Sequence, residues 1–341
     1  MRYKLLGRSG LRVSELCLGT MTFGEAWGWG ASPEVCLEIF EAYRMAGGNF
    51  IDTSTNYTEG QSEEILGDLI GAERDSLVLA TKYSLTSTGS EDPNSGGNSR
   101  KNMMQTVERS LRRLKTDHLD LLYLHMWDYL TPVDEVMRGL DDLVRSGKVS
   151  YIGISDSPSW IVAQANTLAE LRGWSRLVAL QVPYSLLDRG VERAALPAAE
   201  HWEMAVLPWG VLEGGILTGK YQGSLETPAR HDPDTVKQLP EKVQQVLAEL
   251  KRISQEVGRP MAQVALNWVR AQLPQPVIPL IGVRTVEQLQ DNLKVLEWTL
   301  SEEHRTALDQ VSQIDLGYPH DLIKGSPYLF GKTFPLIDQR C

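Results

Sequence analysis

The sequence predicts an α/β fold, a (β/α)8 barrel of the TIM-barrel class. Eight short apolar runs alternate with amphipathic helical segments, and no Pro/Ser-rich linker breaks the series midway. Eight strand–helix units is the number at which a parallel sheet closes on itself. An open doubly wound sheet with a second domain would need such a boundary. The 341 residues are therefore read as a single domain over 1–341, with the barrel core at about 3–312 and an arm at about 313–341.

The elements follow in order. Tyr3 to Leu6, a Gly-Arg-Ser-Gly turn and Leu11 to Val13 form a hairpin candidate. Strand runs lie at 15–19, 48–52, 77–82, 119–124, 149–154, 178–182, 204–208 and 277–281. Helical patterns fall between them at about 34–46, 62–71, 100–114, 133–146, 158–171, 191–202, 240–257 and 285–296, with another near 261–271. Ser32, Thr131 and Ser157 each precede a proline, the order of a capping hydroxyl and a proline in the first helical turn. Thr285 with Gln288 resembles a capping box. The polar stretch 86–99 reads as loop, and the prolines and aromatics after 312 read as an irregular C-terminal arm.

Composition narrows the function classes. At 42% hydrophobic and 23% charged, the chain can bury a large core without metals or disulfides. A net charge of -10 argues against a nucleic-acid or anionic-membrane surface. Cys17, Cys36 and Cys341 are scattered and form no CxxC pair, which fits a reducing compartment and no structural zinc. No apolar run approaches the ~18–20 residues of a membrane span, and the first residues lack a signal-peptide core. A cytoplasmic protein is expected.

Four polar residues carry the chemistry. Asp52, Lys82 and His125 close the strand runs 48–52, 77–82 and 119–124, and Tyr57 follows Asp52 in a polar loop. In a parallel barrel these strand exits share one rim, where catalytic groups collect. A phenol with an ordinary pKa near 10 is a poor acid at neutral pH, and a neighbouring Lys82 cation, held by Asp52, would lower it. His125 could donate a hydrogen bond to a substrate carbonyl. Singly, each also fits a bland role: a solvated ion pair, a packed tyrosine, a satisfied core histidine. Four coincidences at consecutive strand exits favour proton handling beside a hydride transfer.

Cofactor signals lie in the second half. Gly214 to Lys220 matches GxxxxGK, but Tyr221 stands where a P-loop has the Ser or Thr that binds magnesium, which makes an NTPase improbable. The glycines and Lys220 could still cradle a pyrophosphate. Trp209 offers a flat face at a strand exit, or a core indole. Gly282 and Arg284 precede the last predicted helix, and Arg284 would suit a 2′-phosphate, so NADP(H) is preferred over NAD(H); a plain surface arginine is the alternative. There is no GxGxxG after a strand, no metal-ligand spacing and no GxSxG elbow.

The segments Asp52-Thr-Ser-Thr-Asn-Tyr57, Leu79-Ala-Thr-Lys82, Tyr123-Leu-His125, Gly153-Ile-Ser155, Gln181-Val-Pro-Tyr184, Pro208-Trp209, Gly219-Lys220-Tyr221 and Ile281-Gly-Val-Arg284 resemble, in order, the aldo-keto reductase superfamily. The resemblance implies a barrel whose floor is plugged by the N-terminal hairpin, a catalytic tetrad of Asp52, Tyr57, Lys82 and His125, and NADPH lying across the rim. It further implies that Ser155, Asp156 and Gln181 hold the nicotinamide amide with Trp209 under the ring, and that Thr20 and Met21 touch the cofactor from the first loop. By the same likeness Gly210, Leu212, Gly214 and Lys220 line the pyrophosphate and Arg230 closes over it. Gly282, Arg284, Gln288, Asp291 and Asn292 form the adenosine end.

Two positions depart from the family pattern. Asp156 stands where Asn is usual and has fewer donors to offer; Thr58 follows Tyr57 where Gly is common. The implied activity is NADPH-dependent reduction of aldehydes or ketones to alcohols, with a small-molecule carbonyl as partner. The alternative is a redox-sensing subunit resembling potassium-channel β subunits, a branch that lacks the histidine found here as His125. Trp27, Trp29, Trp127 and Tyr129 in the rim loops suggest a pocket tolerant of aromatic groups, with ordinary loop packing as the alternative.

Overall fold

A computed structural model of the chain describes residues 1–86, 89–222, 238–273, 275–323 and 327–337. An antiparallel hairpin, β1 (Tyr3–Leu5) and β2 (Arg12–Ser14), precedes eight parallel strands. These are β3 (Cys17–Gly19), β4 (Phe50–Asp52), β5 (Val78–Tyr83), β6 (Leu119–Leu124), β7 (Val149–Ser155), β8 (Leu177–Pro183), β9 (Ala205–Trp209) and β10 (Leu280–Gly282). They pair in chain order from β3 to β9, with β10 beside β3. A parallel bridge between Val206 and Val277 joins the two ends of the sheet, through bonds of 2.9 Å from Val206 N to Pro276 O and from Ile278 N to Val206 O. This closes the barrel predicted from the strand count.

Side chains alternate across each strand, so every second residue points inward. Phe50, Val78, Ala80, Leu121, Tyr123, Ala179, Ala205, Leu207 and Leu280 form the inner cluster, which Leu6 and Val13 of the hairpin join. The alternate residues, among them Ile51, Leu79, Leu122, Ile154, Leu180 and Val206, pack outward against the helices. The hairpin turn seats closely on the barrel floor. Gly7 has φ 55°, and a Cβ there would lie 2.2 Å from Val178 O. The hairpin thus closes the end of the barrel opposite the strand exits.

The helices include α1 (Pro33–Met45), α2 (Gln61–Ile70), α3 (Arg100–Arg113), α4 (Val133–Arg145), α5 (Ser159–Arg172) and α6 (Ala195–His201). Glu241–Val257, Met261–Arg270 and Val286–Leu293 follow. These agree with the predicted segments to within a few residues. One helix goes beyond the prediction: Glu302–Ser312 begins at Ser301, whose hydroxyl accepts from His304 N at 3.2 Å. The C-terminal arm contains two short helical turns, His320–Ile323 and Pro327–Phe330.

The predicted hydroxyl caps need correction. Ser32 Oγ donates to Glu34, Thr131 Oγ1 to Asp128 and Ser157 Oγ to Ser155 O, so none caps its helix. A nearby carboxylate or carbonyl is the stronger or closer partner in each case. Thr285 does cap, accepting from Gln288 N at 3.3 Å, but the Gln288 side chain accepts from Arg284 N instead of returning to Thr285. Among the described residues no helix is long and apolar enough to cross a membrane, and no cluster of His, Cys, Asp or Glu could hold a metal ion.

Candidate active site

The inward files of β4, β5, β6, β8 and β9 lead to polar or aromatic side chains at the barrel mouth. Phe50 leads to Asp52, Val78 and Ala80 to Lys82, Leu121 and Tyr123 to His125, Ala179 to Gln181, and Ala205 and Leu207 to Trp209. The register steps from strand to strand: Asp52 pairs with Ala80, two residues before Lys82, and Lys82 pairs with Tyr123, two before His125, whereas Ser155 and Gln181 pair directly. The two-residue period that fills the core with apolar groups therefore makes its top layer polar.

Lys82 is fully buried and is the hub of this layer. Its Nζ donates to Asp52 Oδ2 at 2.5 Å, to Thr53 O at 2.8 Å and to the Tyr57 hydroxyl at 3.1 Å. Gln181 Nε2 donates to the other Asp52 oxygen at 2.9 Å. Burial opposes the Lys82 charge, but Asp52 and Tyr57 outweigh it and hold the ammonium above the ordinary lysine range. Burial raises the Asp52 carboxyl, against the pull of Lys82 and Gln181. A buried pair of this kind is retained only with its remaining valences satisfied, as the Gln181 and Thr53 bonds do here.

The phenol departs from expectation. Lys82 does act to lower the Tyr57 pKa, but burial is the larger influence, Asp52 adds to it, and the net shift is upward. Tyr57 is thus held protonated at neutral pH, loaded as an acid but not sharpened as one. His125 is buried, and burial together with Lys82 pushes its pKa well below the ordinary value, so the imidazole is neutral. Its ring meets that of Tyr57 edge-on, with centroids 6.0 Å apart.

Ser54, two residues after Asp52, was not singled out by the sequence and governs the histidine. Its Oγ lies 3.1 Å from His125 Nδ1 and 2.7 Å from Asn56 Oδ1. One hydroxyl proton cannot serve both. Given to Asn56, it leaves the imidazole proton on Nδ1; given to Nδ1, it leaves the proton on Nε2. The donating role expected of His125 requires the second arrangement, with the Asn56 NH2 turned toward Ser54.

Several of the expected cofactor residues follow the ends of these strands. Trp209 is 40% exposed, and its Nε1 donates to Asp156 Oδ1 at 3.2 Å. Burial raises the Asp156 pKa, opposed by the Trp209 bond and Lys82. Ser155 Oγ is buried without a hydrogen-bond partner among the described residues. Gly210, Gly214, Gly215 and Gly219 all have left-handed backbone, and the Lys220 side chain folds against Gly215, where a Cβ would come within 2.5 Å of it. Glycine takes up such backbone most readily, though Glu213 in the same turn also has φ 47°. Leu212 is partly buried at the start of this turn and Met21 partly buried in the first loop.

Arg284 precedes Val286–Leu293, and Gly282 is exposed at the end of β10. Asn292 is buried, and Asp291 accepts from Gln263 Nε2 through both its carbonyl and its carboxylate. Thr20 is fully buried, its hydroxyl bonded to Asp52 O and Ser62, so its side chain supports the Asp52 strand. Arg230 lies outside the described residues. Of the rim aromatics, Trp27 stands 6.4 Å from the Tyr57 ring and 5.7 Å from Trp29, whereas Trp127 is buried and Tyr129 is 70% exposed. An orphaned hydroxyl, an open indole face, a glycine turn with a lysine and an arginine at a helix start fit an extended phosphorylated dinucleotide.

The Aldo/keto reductase family profile matches residues 15–313. This chain is an aldo-keto reductase. Among relatives of this aldo-keto reductase, norsolorinic acid reductase B of Aspergillus parasiticus is 37% identical, over 97% of the chain and 89% of the relative. An aryl-alcohol dehydrogenase [NADP(+)] of Phanerodontia chrysosporium is 35% identical, over 94% and 88%. Aryl-alcohol dehydrogenase GME11368 of Pestalotiopsis microspora is likewise 35% identical, over 94% and 85%.

Proposed function

We propose that this aldo-keto reductase reduces aldehydes or ketones to alcohols with NADPH, and that Tyr57 is the general acid. The observation that carries the reading is the single Lys82 ammonium touching Asp52, Thr53 O and the Tyr57 hydroxyl at the barrel mouth. When bound, the nicotinamide supplies a hydride to the carbonyl carbon. The Tyr57 phenol gives its proton to the carbonyl oxygen, and Lys82 stabilises the phenolate left behind. His125, neutral and held by Ser54, aims the same oxygen through Nε2. Trp209, Ser155, Asp156 and Gln181 would hold the nicotinamide end, Lys220 and its glycine turn the pyrophosphate, and Arg284 and Asn292 the adenosine end.

The substrate class follows from the loop over the phenol. Trp27 and Trp29 form a tilted aromatic pair whose inner member meets the Tyr57 ring edge-on. A flat aromatic aldehyde would stack there with its carbonyl toward Tyr57. The name of the aryl-alcohol dehydrogenase relative agrees with that choice. The test is a panel of aryl and alkyl aldehydes with NADPH and NADH side by side. NADPH with aryl aldehydes should give the highest kcat/KM. Tyr57→Phe should lose about 10²- to 10⁴-fold in kcat with NADPH binding intact. Unchanged turnover in that variant would exclude Tyr57 as the acid.

A further inference from the structure

The loop that carries Tyr57 is held in an unfavourable shape. Directly after the phenol, Thr58 and Glu59 both adopt left-handed backbone, with φ of 47° and 57°. Side chains with a Cβ resist that region, and two such residues in a row persist only where the surroundings over-determine them. On one side, Thr58 Oγ1 donates to Phe23 O at 2.6 Å. On the other, Arg113 reaches in from the last position of α3. Its Nη1 donates to Thr55 O at 2.9 Å, two residues before Tyr57. Its guanidinium also packs on Gly60, three residues after Tyr57, where a Cβ would sit 2.4 Å from Arg113 Cζ.

Arg113 is itself anchored. Nη1 lies 3.3 Å from Glu63 Oε2, and Glu63 is fully buried. The other Glu63 oxygen accepts from Thr81 Oγ1 at 2.7 Å, and Thr81 is the neighbour of Lys82 on β5. A chain of bonds thus runs from the strand bearing Lys82, through Glu63 and Arg113, to both flanks of Tyr57. Packing alone would need only bulk at position 113. A planar fork is required to bond Thr55 O, meet a carboxylate and lie flat on Gly60 at once.

We infer that Arg113, anchored by Glu63, is a positioning residue for Tyr57. It grips the loop on both sides of the phenol and fixes the hydroxyl at its 3.1 Å contact with Lys82. The inference rests on Tyr57 being the acid. A displacement of about 1 Å in a reacting group is enough to cost about 10²-fold in rate.

The test uses the full chain with NADPH and an aryl aldehyde. Arg113→Ala should lower kcat by roughly 10- to 100-fold, while NADPH affinity, read by tryptophan fluorescence, stays that of the wild type. Added guanidinium should restore part of the turnover of Arg113→Ala and none of Tyr57→Phe. Arg113→Ala strands the Glu63 carboxylate in the interior, so Glu63→Gln/Arg113→Met is measured beside it. That pair carries no buried charge and should show the same loss in kcat. Amide exchange across residues 55–60, measured without substrate, should accelerate in both variants.

Wild-type turnover in either folded variant overturns the proposal, and so does unchanged exchange at 55–60. If the wild-type chain binds NADPH but reduces no carbonyl, the reductase reading falls instead. The exchange result then decides the clamp on its own.

Discussion

Lys82 is one ammonium with three acceptors, and its removal separates its roles. Lys82→Met should destabilise the fold by about 3–5 kcal/mol, because the buried Asp52 carboxylate loses its partner. Its effect on pH dependence has a definite sign. A phenol donates only when protonated, so carbonyl reduction should be flat through neutral pH and fall on the alkaline side. Alcohol oxidation, which needs the phenolate, should rise there. Lys82 acts to lower the Tyr57 pKa against the rise from burial. Lys82→Met should therefore move the alkaline limb to higher pH, and a limb displaced to lower pH would show that Lys82 does not act on the phenol.

A second prediction at this scale concerns the histidine. An ionised Asp at position 56 can only accept, so Asn56→Asp should hold the Ser54 proton and keep the His125 proton on Nδ1. Nε2 would then have nothing to donate to the carbonyl. Loss of such a donor is worth about 10²- to 10³-fold in kcat. Steady-state kinetics of Asn56→Asp should show a fall of that order, whereas Asn56→Ser should be milder. The Asp52, Tyr57, Lys82 and His125 set was legible because each chemistry ends or follows an apolar run. Ser54 and Arg113 were not, because a serine in a Thr-Ser-Thr run and an arginine among Arg112, Arg113 and Lys115 carry no local signal.

At the scale of elements, close approach depends on small residues at particular points. Gly67 lies mid-way along α2, and a Cβ there would meet Arg113 O at 2.1 Å and Leu114 C at 3.0 Å. Both are backbone atoms that no rotamer change can move aside. Gly67→Ala should push α2 from the end of α3 at a cost of about 1–3 kcal/mol, read as a lower urea midpoint. The strands and most helices were legible from periodicity. The helix Glu302–Ser312 was not, because it begins Glu-Glu-His-Arg-Thr and buries only Leu308 and Ser312. A helix with so narrow an apolar stripe is specified by its partner, Glu241–Val257, against which it packs.

For the whole molecule, the barrel was legible from the count of units, since eight parallel strands have one way to leave no edge. The pattern could not show how evenly the ring is bonded. Ladders of three to five paired positions join β4 through β9, whereas β9 is joined to the segment just before β10 by the isolated Val206–Val277 bridge. Amide exchange should reflect this: Val206 and Ile278 should exchange well before Leu121 and Leu122 of β6, and equal protection would contradict a weak seam.

That seam also bears on descent. The crossover between β9 and β10 is the longest in the ring, and it carries the glycine turn and Lys220. Insertions, deletions and substitutions there break no ladder of the sheet. Asp52 and Lys82 belong to strands laddered on both sides and His125 directly follows one, so a slip of one residue would turn each side chain out of the barrel. On the proposed assignment, such a protein can drift in how it grips a cofactor's phosphates while its proton chemistry stays fixed. On that assignment, the grip on the pyrophosphate is the trait this architecture lets diverge first, while Arg284, beyond β10, stands outside that crossover.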